Sequence, residues 1–216
     1  MHSMLLESDG PVLSEREAAL GVLSNLLTIS KSDSQVASKV IDLAVQQSIN
    51  IELPLNGAIL LNSHSVASNS ATVISIGSGA SLQLSSSTFS QPSPSFITEV
   101  LFSSALFDPQ GSPFQATSTL TISAYQNGQY LSDNSAAGTG EAIISLPVDS
   151  TNTVALAQLE RVARGDLSQE SVKCARFDST SNALSYSECS LVGVSTEGTV
   201  NCRCPVLGTY LAVLDP

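Results

Sequence analysis

The sequence predicts a mainly β protein with a small N-terminal helical part: an antiparallel, twisted β-sandwich preceded by about two α-helices. Three observations predict it. Apolar residues recur at helical spacing within the first fifty positions. From Leu53 onward, short apolar runs alternate with Ser, Gly, Asn and Pro, giving about ten short strands separated by turn signals, the pattern of a sandwich. Hydrophobic residues make up 42% of the 216 positions, enough to fill a core of that size. The expected division is a helical part over 1–50 and a β-sandwich over 51–216.

In the helical part, Ser14 and Glu17 form a capping box. Leu20, Leu23 and Leu27 follow at helical spacing, widened by Val22 and Leu26, so a helix is predicted over 14–29. A second is predicted over about 34–48, with Ser32 and Gln35 at its start and Val36, Val40, Leu43 and Gln47 along one side. The short polar link between them suggests an antiparallel pair.

Strands are predicted at 58–62, 72–76, 81–85, 97–103, 118–125, 142–147, 153–157, 172–177, 191–194 and 209–214. Asn127-Gly128 between two β-rich runs is a hairpin signal. Thr119, Thr121 and Ser123 alternate with Leu120, Ile122 and Ala124, which implies one wet and one buried face. The stretches 85–95 and 133–141 read as polar loops. The terminal run Thr209, Tyr210, Leu211, Ala212, Val213, Leu214 is almost continuously apolar, as expected of a strand covered on both faces, with Tyr210, Ala212 and Leu214 toward the core and Leu211 and Val213 on the other side.

Composition excludes several functions. The net charge is −11 and the eight Lys and Arg are scattered, with no cluster beyond close pairs such as Arg161 and Arg164. A nucleic-acid ligand needs a basic footprint, and attraction to anionic lipid fails on the same ground. No apolar run approaches the length of a membrane span, and the N-terminal residues do not read as a signal peptide. A disulfide-bearing domain without one is expected to be exported by a signal elsewhere in a longer chain. No Asn-x-Ser/Thr glycosylation site is present.

All four cysteines, Cys174, Cys189, Cys202 and Cys204, lie in one terminal segment. An even number so confined points to two local disulfides and an oxidising compartment. Zinc binding would call for Cys-x-x-Cys pairs or nearby His ligands, and both His, His2 and His64, are far upstream. Cys202 and Cys204 flank one residue, so on a strand they would point to the same face.

Read from Cys174, the order is Cys, an aromatic residue three positions on (Phe177), Cys189, then Thr199-x-x-Cys202-x-Cys204 and a short apolar strand, Gly208–Leu214. This resembles the GPS motif, over 170–214, of the GAIN domains found in adhesion receptors and polycystin-1-type proteins. The departures are specific. Asp178 stands where a second aromatic belongs, one extra residue separates Thr199 from Cys202, and the usual Trp residues are missing, leaving Phe177 and Tyr186 to fill their places. The resemblance implies the pairs Cys174–Cys202 and Cys189–Cys204, which would close loops of roughly 29 and 16 residues and contribute on the order of 3 kcal/mol each. It also implies that 1–50 is a reduced helical subdomain and 51–216 the GAIN sandwich.

In cleaving members a His after the Cys-x-Cys element deprotonates a Thr or Ser hydroxyl, which attacks the preceding Leu carbonyl. Here those positions hold Val206 and Gly208, around Leu207. The Leu207–Gly208 bond is expected to stay intact and the chain to have no catalytic residue. Thr209 comes one residue late, and a one-residue slip reverses the face of a strand. His64, read as an exposed loop residue, is the remaining imidazole outside the N-terminal tail.

Other chemistry is poorly supported. A Ser-His-Asp triad lacks its nucleophile elbow. Asp108, Asp133, Glu141 and Asp149 read as solvated turn carboxylates rather than a glycosidase pair or a calcium loop. No cofactor or metal is expected.

The resemblance implies a non-catalytic extracellular juxtamembrane domain, a structural or force-bearing connector with a buried, uncleaved terminal strand. It would sit on the outer face of the plasma or ciliary membrane, with a membrane segment following Pro216. Its partners would be other extracellular domains and, by analogy with the polycystin branch, a polycystin-2-type channel subunit. The alternative is a secreted adhesin or matrix scaffold built on the same sandwich.

Overall fold

The computed structural model describes residues 49–53, 57–66, 71–77, 79–85, 95–102, 114–126, 129–131, 140–148, 152–178 and 183–214, together with Gln35 and Lys39. Gln35 and Lys39, inside the second expected helix, are helical and exposed. The rest of that helix, the first helix, Asp108, Asp133 and Asp149 lie outside the described residues.

Fourteen strands are described in chain order: β1 (Ile49–Leu53), β2 (Gly57–Val66), β3 (Thr72–Gly77), β4 (Ala80–Leu84), β5 (Ser95–Phe102), β6 (Phe114–Gln115), β7 (Thr119–Gln126), β8 (Gln129–Tyr130), β9 (Glu141–Pro147), β10 (Val172–Asp178), β11 (Ala183–Ser185), β12 (Ser190–Val194), β13 (Thr199–Pro205) and β14 (Gly208–Leu214). They form two antiparallel sheets. The larger runs β1-β2-β5-β7-β14-β10-β11, with β6 also paired to β14 and β8 to β7; the smaller runs β12-β13-β9-β4-β3. The chain's last strand is thus internal to its sheet. Tyr210 lies opposite Arg176 of β10 on one side and Leu120 of β7 on the other.

One apolar cluster joins the sheets. Leu82, Leu84, Ile144, Val200 and Cys202 of the smaller sheet share it with Leu120, Ile122, Tyr210, Ala212 and Leu214 of the larger. The alternation that places them there is clearest in β9, where Ala142, Ile144 and Leu146 are buried and the intervening residues are not. A second cluster of Ala175, Leu211 and Val213, with Leu184 against it, occupies the other face of β10 and β14. Every residue from Tyr210 to Leu214 is therefore buried.

The segment expected as a strand at 153–157 is instead the start of a helix, α1 (Thr153–Arg164). Val, Thr and Ala at its start suggested β structure. The deciding signals are a buried stripe of Ala155, Leu159 and Val162 at helical spacing, an Asn152 cap and a C-terminal Gly165 with φ +83°. Asn152 Oδ1 accepts from Ala155 N–H at 3.0 Å. Arg161 and Arg164 sit in the last turn, where the helix dipole favours cations.

Two further expectations are corrected. The face of β7 that carries Thr119 and Ser123 is not wet: both are about as buried as the apolar face, at 1% and 4% exposure. β7 lies between β5 and β14, and Thr121, on the same side, is half-buried with its Oγ1 3.0 Å from Thr209 Oγ1. Gln115 Nε2 donates to Thr119 Oγ1 at 3.0 Å and to the Thr117 carbonyl at 2.6 Å. Tyr186, expected to fill an aromatic core site, is 39% exposed, because it lies beyond the end of the short strand β11 rather than within a sheet.

Candidate functional site

The terminal segment is held covalently at two points. Cys174 of β10 is bonded to Cys202 of β13, a bridge between the two sheets with its Cα atoms 5.9 Å apart. Cys189, just before β12, is bonded to Cys204 of β13, with Cα atoms 4.4 Å apart. Cys202 and Cys204 are on one face of β13 and are buried, with Ile144 and Ala142 opposite them on β9. These are the pairs that the motif resemblance implies. Cys174 is buried and Cys189 only half-buried. Among the described residues no group of three His, Cys, Asp or Glu is placed to hold a metal ion.

Between β13 and β14 the chain turns at Val206 and Leu207, both buried. The Val206 N–H donates to the Gly140 carbonyl at 3.1 Å. The Tyr210 hydroxyl folds back over this turn and lies 2.6 Å from the carbonyl oxygens of both Pro205 and Leu207. A phenol has one proton, so the two acceptors share it. The phenol closes the turn from inside the core, and its hydroxyl is held against the carbonyl of the Leu207–Gly208 peptide bond.

Gly208 has φ +147°, and a Cβ at this position would come 2.6 Å from Arg176 Nε and 2.8 Å from the Tyr210 hydroxyl. A side chain here would take a strained backbone conformation and would have to displace the Arg176 guanidinium or the Tyr210 hydroxyl. The hydroxyl side chain of a cleaving site would therefore fit only by breaking this arrangement. Val206 supplies no proton acceptor. Thr209 lies on the opposite face, where its Oγ1 is 3.0 Å from Thr121 Oγ1.

Arg176, whose side chain is 17% exposed, lies along this turn and pairs with Glu188, which is 41% exposed. Glu188 directly precedes Cys189 in the chain. A partly exposed pair of this kind contributes little stability by itself, but it fixes where the guanidinium lies.

His64 is not a loop residue. It is on β2, opposite Ile97 of β5. With β5 and β7 between β2 and β14, its backbone is about 14 Å from the terminal strand at the usual strand spacing, too far to serve as a base for Thr209. Glu141 is the first residue of β9 and is exposed.

Sequence reasoning singled out the four cysteines, Val206, Leu207, Gly208 and the residues from Thr209 to Leu214, and the structure brings all of them into one corner. It missed Tyr210 as a polar group, Arg176 and Glu188. The spacing of Tyr210 from Gly208, two residues along a strand and so on one face, was the available signal. The Arg176–Glu188 contact had none, because it depends on how the chain leaves β11 after Arg176 pairs with Ser185. No known protein-family model matches the chain, and no curated protein matches it.

Proposed function

We propose that this chain is a non-catalytic extracellular domain of the GAIN type whose GPS-like segment, 170–214, keeps its terminal strand in place by packing and disulfides instead of releasing it by self-cleavage. The two sheets, joined by one core and one disulfide, form the GAIN-like sandwich, and the domain acts as a structural or force-bearing connector next to a membrane. The observation that carries this reading is the position of β14. It is internal to its sheet, buried on both faces, and preceded by a turn with Val206 and Gly208 where the cleavage chemistry needs an imidazole and a hydroxyl.

Energetics support a retained strand. Burial of Leu211, Val213 and Leu214 alone accounts for about 5–9 kcal/mol, before the ladders on both sides are counted. The disulfides fit an oxidising, extracellular setting. By analogy with the polycystin branch, the partners are neighbouring extracellular domains and a polycystin-2-type channel subunit.

The test is expression of the chain through a secretory pathway, followed by mass analysis under reducing, denaturing conditions. One intact chain is expected. Recovery of a fragment beginning at Gly208 or Thr209 refutes the reading.

A further inference from the structure

The two disulfides differ in what surrounds them. Cys174–Cys202 is buried at both ends, with 3% and 0% exposure. In the other bond, Cys204 is 1% exposed but Cys189 is half-buried, at the rim of the core. A thiolate must reach a sulfur in line with the bond it breaks, so access decides which bond exchanges first.

That accessible bond joins the two pieces of chain that close the turn before β14. On one side, Glu188 adjoins Cys189 and holds Arg176, whose guanidinium lies against Gly208. On the other, Pro205 adjoins Cys204, and its carbonyl accepts from the Tyr210 hydroxyl. The segment from Ser187 to Ser190 has no other covalent tie to β13, and its first ladder pair with β13 is Ser190 with Arg203.

We propose that Cys189–Cys204 is a redox latch on the terminal strand: an extracellular dithiol opens it while Cys174–Cys202 stays closed, and the opening loosens the turn over Leu207 and Gly208. The latch rests on the reading of β14 as a retained strand and supplies its regulation. In the exchange, a thiolate of the dithiol bonds to Cys189 Sγ. The Cys189–Cys204 bond breaks, and Cys204 Sγ departs with the electron pair and takes up a proton. The second thiol of the reductant, losing its proton, then displaces Cys189 from the mixed disulfide. Two electrons and two protons pass to the protein, and the dithiol leaves as its own disulfide. Freed from Cys204, the Glu188 segment no longer fixes Arg176, and the Pro205 end of the turn loses its anchor. Cys174–Cys202 still ties the sheets together, so the change stays local.

The experiment uses the full chain and graded dithiothreitol. Exposed thiols are alkylated with one mass label, the remaining cysteines are reduced and given a second, and amide hydrogen exchange is followed in parallel. Cys189 and Cys204 are expected to be labelled at a dithiothreitol concentration at least tenfold below that needed for Cys174 and Cys202. At that point exchange of the Val206–Tyr210 amides should rise tenfold or more, while β7 and β9 remain protected. The Cys189→Ser, Cys204→Ser double variant should show the same local exchange without reductant. Opening of both bonds together, or of Cys174–Cys202 first, overturns the proposal. So does unchanged exchange at the turn, or loss of protection across β7 and β9 when only the one bond is open. None of these outcomes depends on whether Leu207–Gly208 is cleaved, so the latch and the connector reading fail separately.

Discussion

The Tyr210 hydroxyl sits 2.6 Å from the carbonyl oxygen of Leu207, three residues earlier in the chain. This one phenol does two jobs. Its ring belongs to the core between the sheets, and its hydroxyl is shared between the carbonyls of Leu207 and Pro205.

Tyr210→Phe keeps the ring and removes the hydroxyl. The carbonyls of Leu207 and Pro205 then lose their shared donor in a buried place, a change that costs about 1–3 kcal/mol. Urea unfolding of the oxidised protein should show a lower midpoint with an unchanged slope.

Gly208 is fixed by its neighbours as well as by its dihedral angle. Gly208→Thr combined with Val206→His restores the residue types of a cleaving motif but forces a side chain into Arg176 and Tyr210. The double variant should remain a single chain on denaturing mass analysis and lose at least about 2 kcal/mol of stability. Efficient cleavage in this variant would show that the turn can rearrange around a side chain.

Thr117 takes the place of a strand residue beside β14. Its Oγ1 accepts the Ala212 N–H at 2.9 Å while its own hydroxyl donates to the Ser118 carbonyl at 3.1 Å. Thr117→Val matches the shape but orphans the Ala212 N–H. A loss of about 1–3 kcal/mol is expected, together with faster hydrogen exchange at Ala212. Unaltered exchange there would contradict the bond.

Asn152 caps α1 and also donates through Nδ2 to the Gln115 carbonyl at 3.3 Å. Asn152→Ala should cost about 1 kcal/mol through the cap, read as a lower thermal midpoint with less helical ellipticity. If 153–157 were a strand after all, the helical signal would not respond.

Much of this architecture was legible in the chain. Alternation marked β9 and β4 because each has one face on the core and one in solvent, so the pattern of residue types reports the pattern of burial. The Asn127-Gly128 signal anticipated a hairpin, and Gln126 does lie opposite Gln129, although the two turn residues themselves are outside the described set. The same logic failed for β7. Alternation of Thr with Leu suggested water on one side, yet Thr119 and Ser123 are buried, and Thr119 accepts from Gln115 Nε2. It failed at α1 because a short Thr-Val-Ala run is ambiguous, and the Asn152 and Gly165 caps decide for the helix. β1, β6 and β11 were not legible, being short and set by pairing with β2, β14 and β10 rather than by their own composition, and neither was β13, whose polar and cysteine residues form a strand through pairing with β9 and β12.

The sequence by itself determined the β-rich character, the confinement of the cysteines to the last strands, the apolar run from Tyr210 to Leu214, and the lack of a hydroxyl or imidazole at positions 208 and 206. Those are properties of residue type and near-neighbour spacing. The tertiary structure alone decided that β14 is an inner strand, that Arg176 and Tyr210 crowd Gly208, that Glu188 reaches Arg176, and that one disulfide is sealed while the other is open at Cys189. Each of these depends on which strands pair and in what register. Register is set by the fit of whole faces across distant segments, which no local stretch of sequence encodes.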